Sequence, residues 1–472
     1  MPANSWPDKD YNEIDPLEEM FADISANRSL EEQKSQELSV PSRFQGRRRK
    51  AALVLTMVWS GTIALHLVSW GSLFVWGLAT VIGLHSLVVV FTKPRSINEE
   101  IEGDLPFVSL LVAAKNEELV ISNLVNNLCN LDYPSSGYEV WIVDDQSSDK
   151  TPELLWELAD RYQNLKILRR EPGASGGKSG ALNEVLPLTK GEVVGVFDAD
   201  AQVSSDVLLR TIPLFQRKQV GAVQLRKEIA NASTNFWTKG QMAEMALDTV
   251  FQSGRSLRGG VGELRGNGQF VRRTALYSCG GWNEETITDD LDLTLRLHLD
   301  KWDIECVFSP LVKEEGVTNA ISLWHQRNRW AEGGYQRYLD YWDLILRNRM
   351  GTWKTFELLL SFLLYQYIIP TAVIPDLFMA IARHRLPILT PLTSMSLTIS
   401  LVGMFTGLKR IYQNRPLRTS TYLILLLQSL RGVLYMFHWI IVISSATARM
   451  SVRPKRLKWV KTLRQGSLTD SH

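Results

Sequence analysis

The sequence predicts an α/β domain with a mostly parallel sheet, cytoplasmic and inserted between transmembrane helices. Three observations lead there. The 41 residues from Ala51 to Phe91 contain no Lys, Arg, Asp or Glu, about twice the roughly 20 needed to cross a bilayer. A second apolar region runs from Thr355 to Ala446. Between the two, short β-forming runs alternate with amphipathic helical patterns, as parallel strands joined by crossover helices do.

Residues 1–46 are polar and acidic, with no apolar core of the signal-peptide type, and read as a disordered cytoplasmic tail. Residues 47–95 read as a transmembrane hairpin that turns at "SWGS" (Ser69 to Ser72). "RRRK" (Arg47 to Lys50) precedes it, and Lys93 and Arg95 follow, so both ends are expected in the cytoplasm. In residues 105–320 the strands are "PFVSLLVAA" (Pro106 to Ala114), "YEVWIVDD" (Tyr138 to Asp145), "NLKILRR" (Asn164 to Arg170), "EVVGVFDAD" (Glu192 to Asp200) and "GAVQLR" (Gly221 to Arg226). "EELVISNLVNNLCNL" (Glu117 to Leu131) alternates as an amphipathic helix, and Thr151 is expected to cap the next helix, with Pro152 at its first position. Two further helices follow within Gly177 to Leu188 and Ser204 to Lys218.

Residues 321–350 carry Trp324, Trp330, Tyr335, Tyr338, Tyr341 and Trp342 and suit a bilayer interface. Residues 355–446 hold two or three more spans, in blocks Thr355 to Ala382, Leu386 to Leu408 and Thr421 to Ala446. Every flank of these blocks is basic, so three simple crossings cannot leave all of them inside. Pro370 and Pro375 suit a kinked first block, and Arg431 is expensive at mid-membrane in the third. Four or five spans in all are expected, followed by a basic cytoplasmic tail at 447–472. The formal net charge of +2 says little about partners, and nothing points to nucleic acid. Cys129, Cys279 and Cys306 form neither a zinc pattern nor a disulfide framework, as suits a reducing compartment.

In such sheets, ligands bind beyond the carboxyl ends of the strands. Asp198 and Asp200 lie at one such end, two residues apart and so on one side of an extended chain. Hard carboxylate oxygens there suit Mg²⁺, which needs only one or two of them beside substrate phosphate oxygens; a solvated loop pair is the plainer explanation. Asp144 and Asp145 end the second strand, and Lys115, Asn116 and Glu117 follow the first. "GASGGKSGALN" (Gly173 to Asn183) brings Lys178 and backbone amides to a helix start, where phosphate is welcome. Pro172 stands where a Walker A loop needs glycine, so an ATPase is not read. Asp289 and Asp290 open a further helical pattern, favourable on the helix dipole alone and suited to general-base work. Gln326 and Arg329 are neighbours on one helix face beside Trp330.

The ordered set of Asp-Asp, Asp-x-Asp, Thr-Asp-Asp and Gln-x-x-Arg-Trp, flanked by membrane helices, resembles the inverting family 2 glycosyltransferases of GT-A fold. That resemblance covers roughly residues 105–345. It implies that Glu117 and Asp144 face uridine, Asp198 the ribose, and Lys178 a phosphate. It implies Asp200 as the metal ligand, Asp290 as catalytic base with Asp289 beside it, and Gln326, Arg329 and Trp330 around the diphosphate and acceptor. Gly266, Asn267 and Gly268 of "LRGNGQFVRR" would line the acceptor or sugar pocket. The family's base motif reads Glu-Asp; Asp289 shortens the first carboxylate and leaves Asp290 in place. Three stretches, "SRFQGRRRKAALVLTMVWSGTIALHLVSWGS", "GGKSGALNEVLPLTKGE" and "LRGNGQFVRRTALYSCGGWNEETITDDLDL", are similar to lipid-glucosylating members from cyanobacteria. They imply UDP-glucose as donor, diacylglycerol in the bilayer as acceptor, Mg²⁺ with Mn²⁺ as the other candidate ion, and a plasma or thylakoid membrane. A processive β-polysaccharide synthase of the cellulose or hyaluronan type would carry the same motifs.

Overall fold

A computed structural model describes residues 46–94, 105–412 and 418–452. The acidic tail up to residue 45, Arg95 and the basic tail from residue 453 lie outside the described residues. The chain opens with helices α1 (Arg47–Leu67) and α2 (Gly71–Phe91). Then come β1 (Val108–Ala114), α3 (Ile121–Leu128), β2 (Tyr138–Asp144), α4 (Thr151–Arg161), β3 (Leu165–Arg169), α5 (Gly177–Val185), β4 (Val193–Phe197), β5 (Gln202–Val203) and α6 (Val207–Thr211). The domain continues with β6 (Val220–Ile229), α7 (Phe236–Ser256), β7 (Gln269–Arg272), α8 (Arg273–Ser278), α9 (Asp289–Leu299), β8 (Asp303–Glu314) and α10 (Ala320–Leu346). Three long helices close it: α11 (Thr352–Ala382), π-wound over Leu358–Ile368, then α12 (Thr390–Ile411) and α13 (Thr419–Val452). Among the described residues five helices, α1, α2, α11, α12 and α13, are long and apolar enough to cross a membrane.

The eight strands form one sheet in the order β3-β2-β1-β4-β7-β6-β8-β5. Four of its seven pairings are parallel, the centre being β3-β2-β1-β4. β1 is buried almost throughout, which is why it reads as an unbroken apolar run. Its alternate residues serve opposite faces. Val108, Leu110 and Val112 pack with Ile121, Leu124 and Leu155, while Leu111 packs with Leu182, Val185 and Leu293.

Among the elements that escaped the sequence reading, three shape the rim and its docking. β7 enters antiparallel between β4 and β6. Because it runs backwards, the "RGN" turn before it arrives at the carboxyl end of β4: the Gly268 N–H donates to Val196 O at 3.0 Å. β8 runs beside β6 and carries Glu314 and Glu315 to the same rim. α7 is capped by Asn235, whose side chain accepts from the Trp237 and Thr238 amides while Thr238 accepts from the Asn235 amide. A further correction concerns Thr151, which is the first residue of α4 rather than its cap. Its hydroxyl accepts the Glu117 N–H at 2.8 Å instead, and Asp149 accepts the Thr151 amide.

α7 docks the domain onto the membrane helices through small residues, which let backbones approach closely. A Cβ on Gly254 would lie 2.3 Å from Val89 O, and one on Gly407 would lie 2.3 Å from Ala246 O. At the other end of the helices, Asp376 accepts the Ile388 amide and meets His66 at 2.7 Å, joining the α1–α2 turn to the α11–α12 turn. α13 is tied to the domain along its length: Trp439 Nε1 donates to Glu244 at 2.7 Å, and Arg449 donates to Asn328 at 3.0 Å.

Candidate active site

One cavity of about 850 Å³ opens at the carboxyl rim of the sheet and continues between α7, α10 and the membrane helices. Ten of the residues singled out in the sequence line it. Glu117 comes from the loop after β1, Lys178 from the first turn of α5, and Asp198 and Asp200 from the end of β4. Gly266 comes from the turn before β7, Asp289 and Asp290 from the start of α9, and Gln326, Arg329 and Trp330 from α10.

Asp144, Asn267 and Gly268 do not line the cavity. Asp144 is buried at the end of β2, where Oδ1 accepts the Ser147 amide at 3.0 Å and Oδ2 lies 3.5 Å from Arg169 Nε. Those contacts hold the turn that carries Ser147, whose hydroxyl in turn accepts the Asn116 amide. Asn267 is fully buried just behind the wall. Its Oδ1 accepts the Asp198 amide at 3.2 Å and its Nδ2 donates to Glu314 at 3.2 Å, so it ties β4 to β8. Gly268 has φ +69 and no room for a side chain, since a Cβ there would lie 2.6 Å from Val312 Cγ1.

The carboxylates and cations of the rim interlock. Lys178 Nζ bonds Asp198 Oδ1 at 2.6 Å. Burial opposes the lysine's charge, but Asp198, Asp289 and Asp290 outweigh it and hold the ammonium protonated well above its ordinary range. The Glu315 amide donates to Asp200 Oδ2 at 3.2 Å. Asp290 accepts its neighbour's amide, Leu291 N, on Oδ1 at 2.9 Å. Its other oxygen faces Gly266, where a Cβ would lie 3.4 Å from Oδ2. Withdrawal from water and the adjacent Asp289 raise the Asp290 carboxyl to about 6, against the Leu291 amide, Lys178 and Arg265, which lower it. Arg329 lies within the field of Asp290, Asp289 and Asp198; burial still lowers its pKa from the usual value.

Several lining residues were missed by sequence reasoning. Glu314 and Glu315 follow "CVFSPLV" (Cys306 to Val312) in "KEEG", but Ser309 and Pro310 interrupt that apolar stretch and hide the strand. Lys227 reaches the rim from β6, 2.8 Å from Glu314 and over the Trp330 ring at 5.8 Å. Arg327 packs its guanidinium 4.0 Å from the Trp330 ring centroid and pairs with Glu244 of α7. It therefore fixes the tryptophan whose neighbours Gln326 and Arg329 face the cavity. Gln326 Oε1 and Asp289 Oδ2 are buried without a hydrogen-bond partner among the described residues.

Among the described residues no group of three or more His, Cys, Asp or Glu side chains forms a metal cage. The lining nonetheless holds eleven carboxylates against six Lys and Arg side chains. Such an excess of hard oxygen suits a divalent cation completed by substrate oxygens.

Residues 106–333 match the family described as glycosyltransferase like family 2. The chain is 68% identical over 468 residues to the beta-monoglucosyldiacylglycerol synthase of Trichormus variabilis, covering 99% of this chain and 100% of that one. It is 51% identical over 484 residues to the beta-monoglucosyldiacylglycerol synthase of Synechocystis sp., covering 100% of this chain and 99% of the other. The fold is similar to that of a mannosyltransferase from Pyrobaculum calidifontis solved in complex with GDP-Man and Mn²⁺. There the TM-score is 0.53 at 20% identity, over 80% of this chain and 99% of that one.

Proposed function

This chain belongs to glycosyltransferase like family 2, and from that premise we propose that it transfers glucose from UDP-glucose to diacylglycerol with inversion, giving β-monoglucosyldiacylglycerol. The observation that carries the reading is one continuous cavity, which has the carboxylates Asp198, Asp200 and Asp290 at one end and the walls of membrane helices at the other. A sugar nucleotide and a lipid hydroxyl need such a shared space. The protein is a membrane glycosyltransferase, and the reading sets its catalytic domain on the cytoplasmic side.

Asp200, with Asp198 beside it, would hold Mg²⁺ or Mn²⁺. The ion supplies neutralisation of the diphosphate charge. Lys178 and Arg329 bring fixed positive charge to the same place, where water-excluded electrostatics count most. Glu117, which lines the cavity, would face the uridine, with Asp144 fixing the turn beside it. Gln326 and Trp330 flank Arg329 and would bound the acceptor end. Asp290 accepts the proton of the lipid hydroxyl on Oδ2, since Oδ1 is occupied by the Leu291 amide. The hydroxyl oxygen bonds to the anomeric carbon as the bond to UDP breaks, so one displacement turns an α donor into a β product.

Sealed inverted membrane vesicles containing the full chain and diacylglycerol, supplied with labelled UDP-sugars from outside, test this. Label from UDP-glucose is expected in chloroform-soluble lipid, lost with a chelator and restored by Mg²⁺. Label in insoluble polymer, or none in lipid, refutes the reading. Use of the impermeant donor by right-side-out cells would place the domain on the wrong side.

A further inference from the structure

The inner part of the cavity differs chemically from the rim. Its walls include Leu397 of α12 and Val433, Phe437 and Ile440 of α13, all apolar. Polar side chains, among them Tyr365, Ser396 and Ser400, also line it, and two further ones are the donors Arg255 and Gln366. Arg255, at the end of α7, is only 6% exposed, and its guanidinium lies over the Phe362 ring at 4.2 Å and near the Phe251 ring at 5.1 Å. Its Nε is buried with no hydrogen-bond partner among the described residues. The carboxylates of Glu263 and Glu357 lie within its electrostatic reach. Its charge is therefore offset while its Nε–H remains unmet.

The second donor is the Gln366 amide, which lines the cavity from α11. It stands in the π-wound stretch Leu358–Ile368, immediately before Pro370. Pro370 cannot donate the α-helical bond to residue 366, and π-winding of this kind recurs at functional sites. A polar side chain in a membrane helix is expensive unless something answers it. Arg255 Nε lacks an acceptor among the described residues, and the ester carbonyls of a diacyl lipid are neutral acceptors able to serve it and the Gln366 amide.

We propose that this inner chamber binds the glycerol backbone of the acceptor, with Arg255 and Gln366 donating hydrogen bonds to its acyl ester carbonyls. The inference rests on the diacylglycerol reading above. It makes the chamber a filter for diacyl over dialkyl lipids, separate from the donor subsite around Asp198 and Lys178.

The test compares 1,2-diacylglycerol with the matching 1,2-dialkylglycerol, which keeps the hydroxyl and chains but has no carbonyls. Wild-type protein in phosphatidylcholine vesicles is expected to show a kcat/KM about tenfold lower for the ether, the scale of one or two lost hydrogen bonds. Gln366→Leu is expected to raise KM for diacylglycerol several-fold, leave KM for UDP-glucose unchanged, and bring the ester-to-ether ratio towards one. A wild-type ratio of one overturns the inference, and needs no variant to fold. So does a Gln366→Leu protein that keeps the wild-type ratio. Failure of the wild type to glucosylate either lipid would instead overturn the function from which the inference starts.

Discussion

Asp290→Asn is expected to abolish most turnover, lowering kcat by about 10²–10⁴-fold, the range for loss of a positioned general base. Binding of UDP should persist, because Lys178, Asp198 and Arg329 are untouched. The pH profile gives the same residue a second signature. Asp290 works as a base only when ionised, and burial together with Asp289 raises it to about 6. Activity should therefore climb tenfold per pH unit below 6 and level off above it. An ordinary aspartate would set that limb near 4. Replacing Lys178 with Met removes one of the charges that hold Asp290 down, so the limb should move to higher pH in that variant. Steady-state kcat/KM from pH 4.5 to 8 reads all of this, and a profile flat through 6 contradicts it.

Glu263→Ala is expected to cost about 3–5 kcal/mol of stability, as breaking a buried ion pair from one side does. Glu263 is 1% exposed and lies 2.6 Å from Arg337 Nη1 and 2.9 Å from Arg265 Nη1. Burial opposes its ionisation, but Arg337, Arg265 and Arg255 overcome it and hold the carboxyl at about 2. The sign follows from that direction. A carboxylate lowered on folding stabilises the protein above its unfolded value near 4.5, and that stabilisation is lost as pH falls towards 2. The substitution would leave Arg337 of α10 as an uncompensated buried cation, while Arg265 beside the catalytic turn would keep only Asp248, 2.8 Å from its Nη2. A denaturant midpoint unchanged by Glu263→Ala at pH 7 would contradict the assignment, as would a pH-independent difference between variant and wild type from 7 down to 2.

Much of the site was legible because the chemistry sits where strands end. Asp198 and Lys178 each follow or open an element with a strong local pattern, and the sheet brings them together whatever the details of the loops. The central strands β1, β2 and β4 were legible for a related reason: they are covered on both faces, so their sequences are continuous apolar runs. The edge elements were not. β8 contains Pro310 and has register shifts against β6, so its alternation is broken. α7 touches the sheet on one side and membrane helices on the other, and its buried positions include Thr238, Gln241, Thr249 and Gln252. No single apolar stripe marks such a helix. Within "HQRNRW", the Gln-x-x-Arg-Trp pattern singled out Arg329 and gave Arg327 no role. Only Glu244, 83 residues earlier in the chain, shows that Arg327 is a buried brace for Trp330 while Arg329 lines the cavity.

The ends of α12 and α13 are held by contacts that a count of basic flanks does not register. Arg410 of α12 donates to the carbonyls of Val90 and Thr92, so α12 ends beside the end of α2. α13 then stays against α7 and α10, with Arg431 exposed.

The account depends on one arrangement, a lipid hydroxyl reaching from the helix-lined chamber to the carboxylate at the start of α9. An experimental structure of the full chain with UDP, Mg²⁺ and a diacylglycerol measures it directly. The acceptor hydroxyl oxygen is predicted within hydrogen-bond reach of Asp290 Oδ2, about 3 Å, with the acyl chains between α11, α12 and α13. A lipid bound elsewhere, or a hydroxyl nearer Asp248 or Asp289 than Asp290, would contradict it.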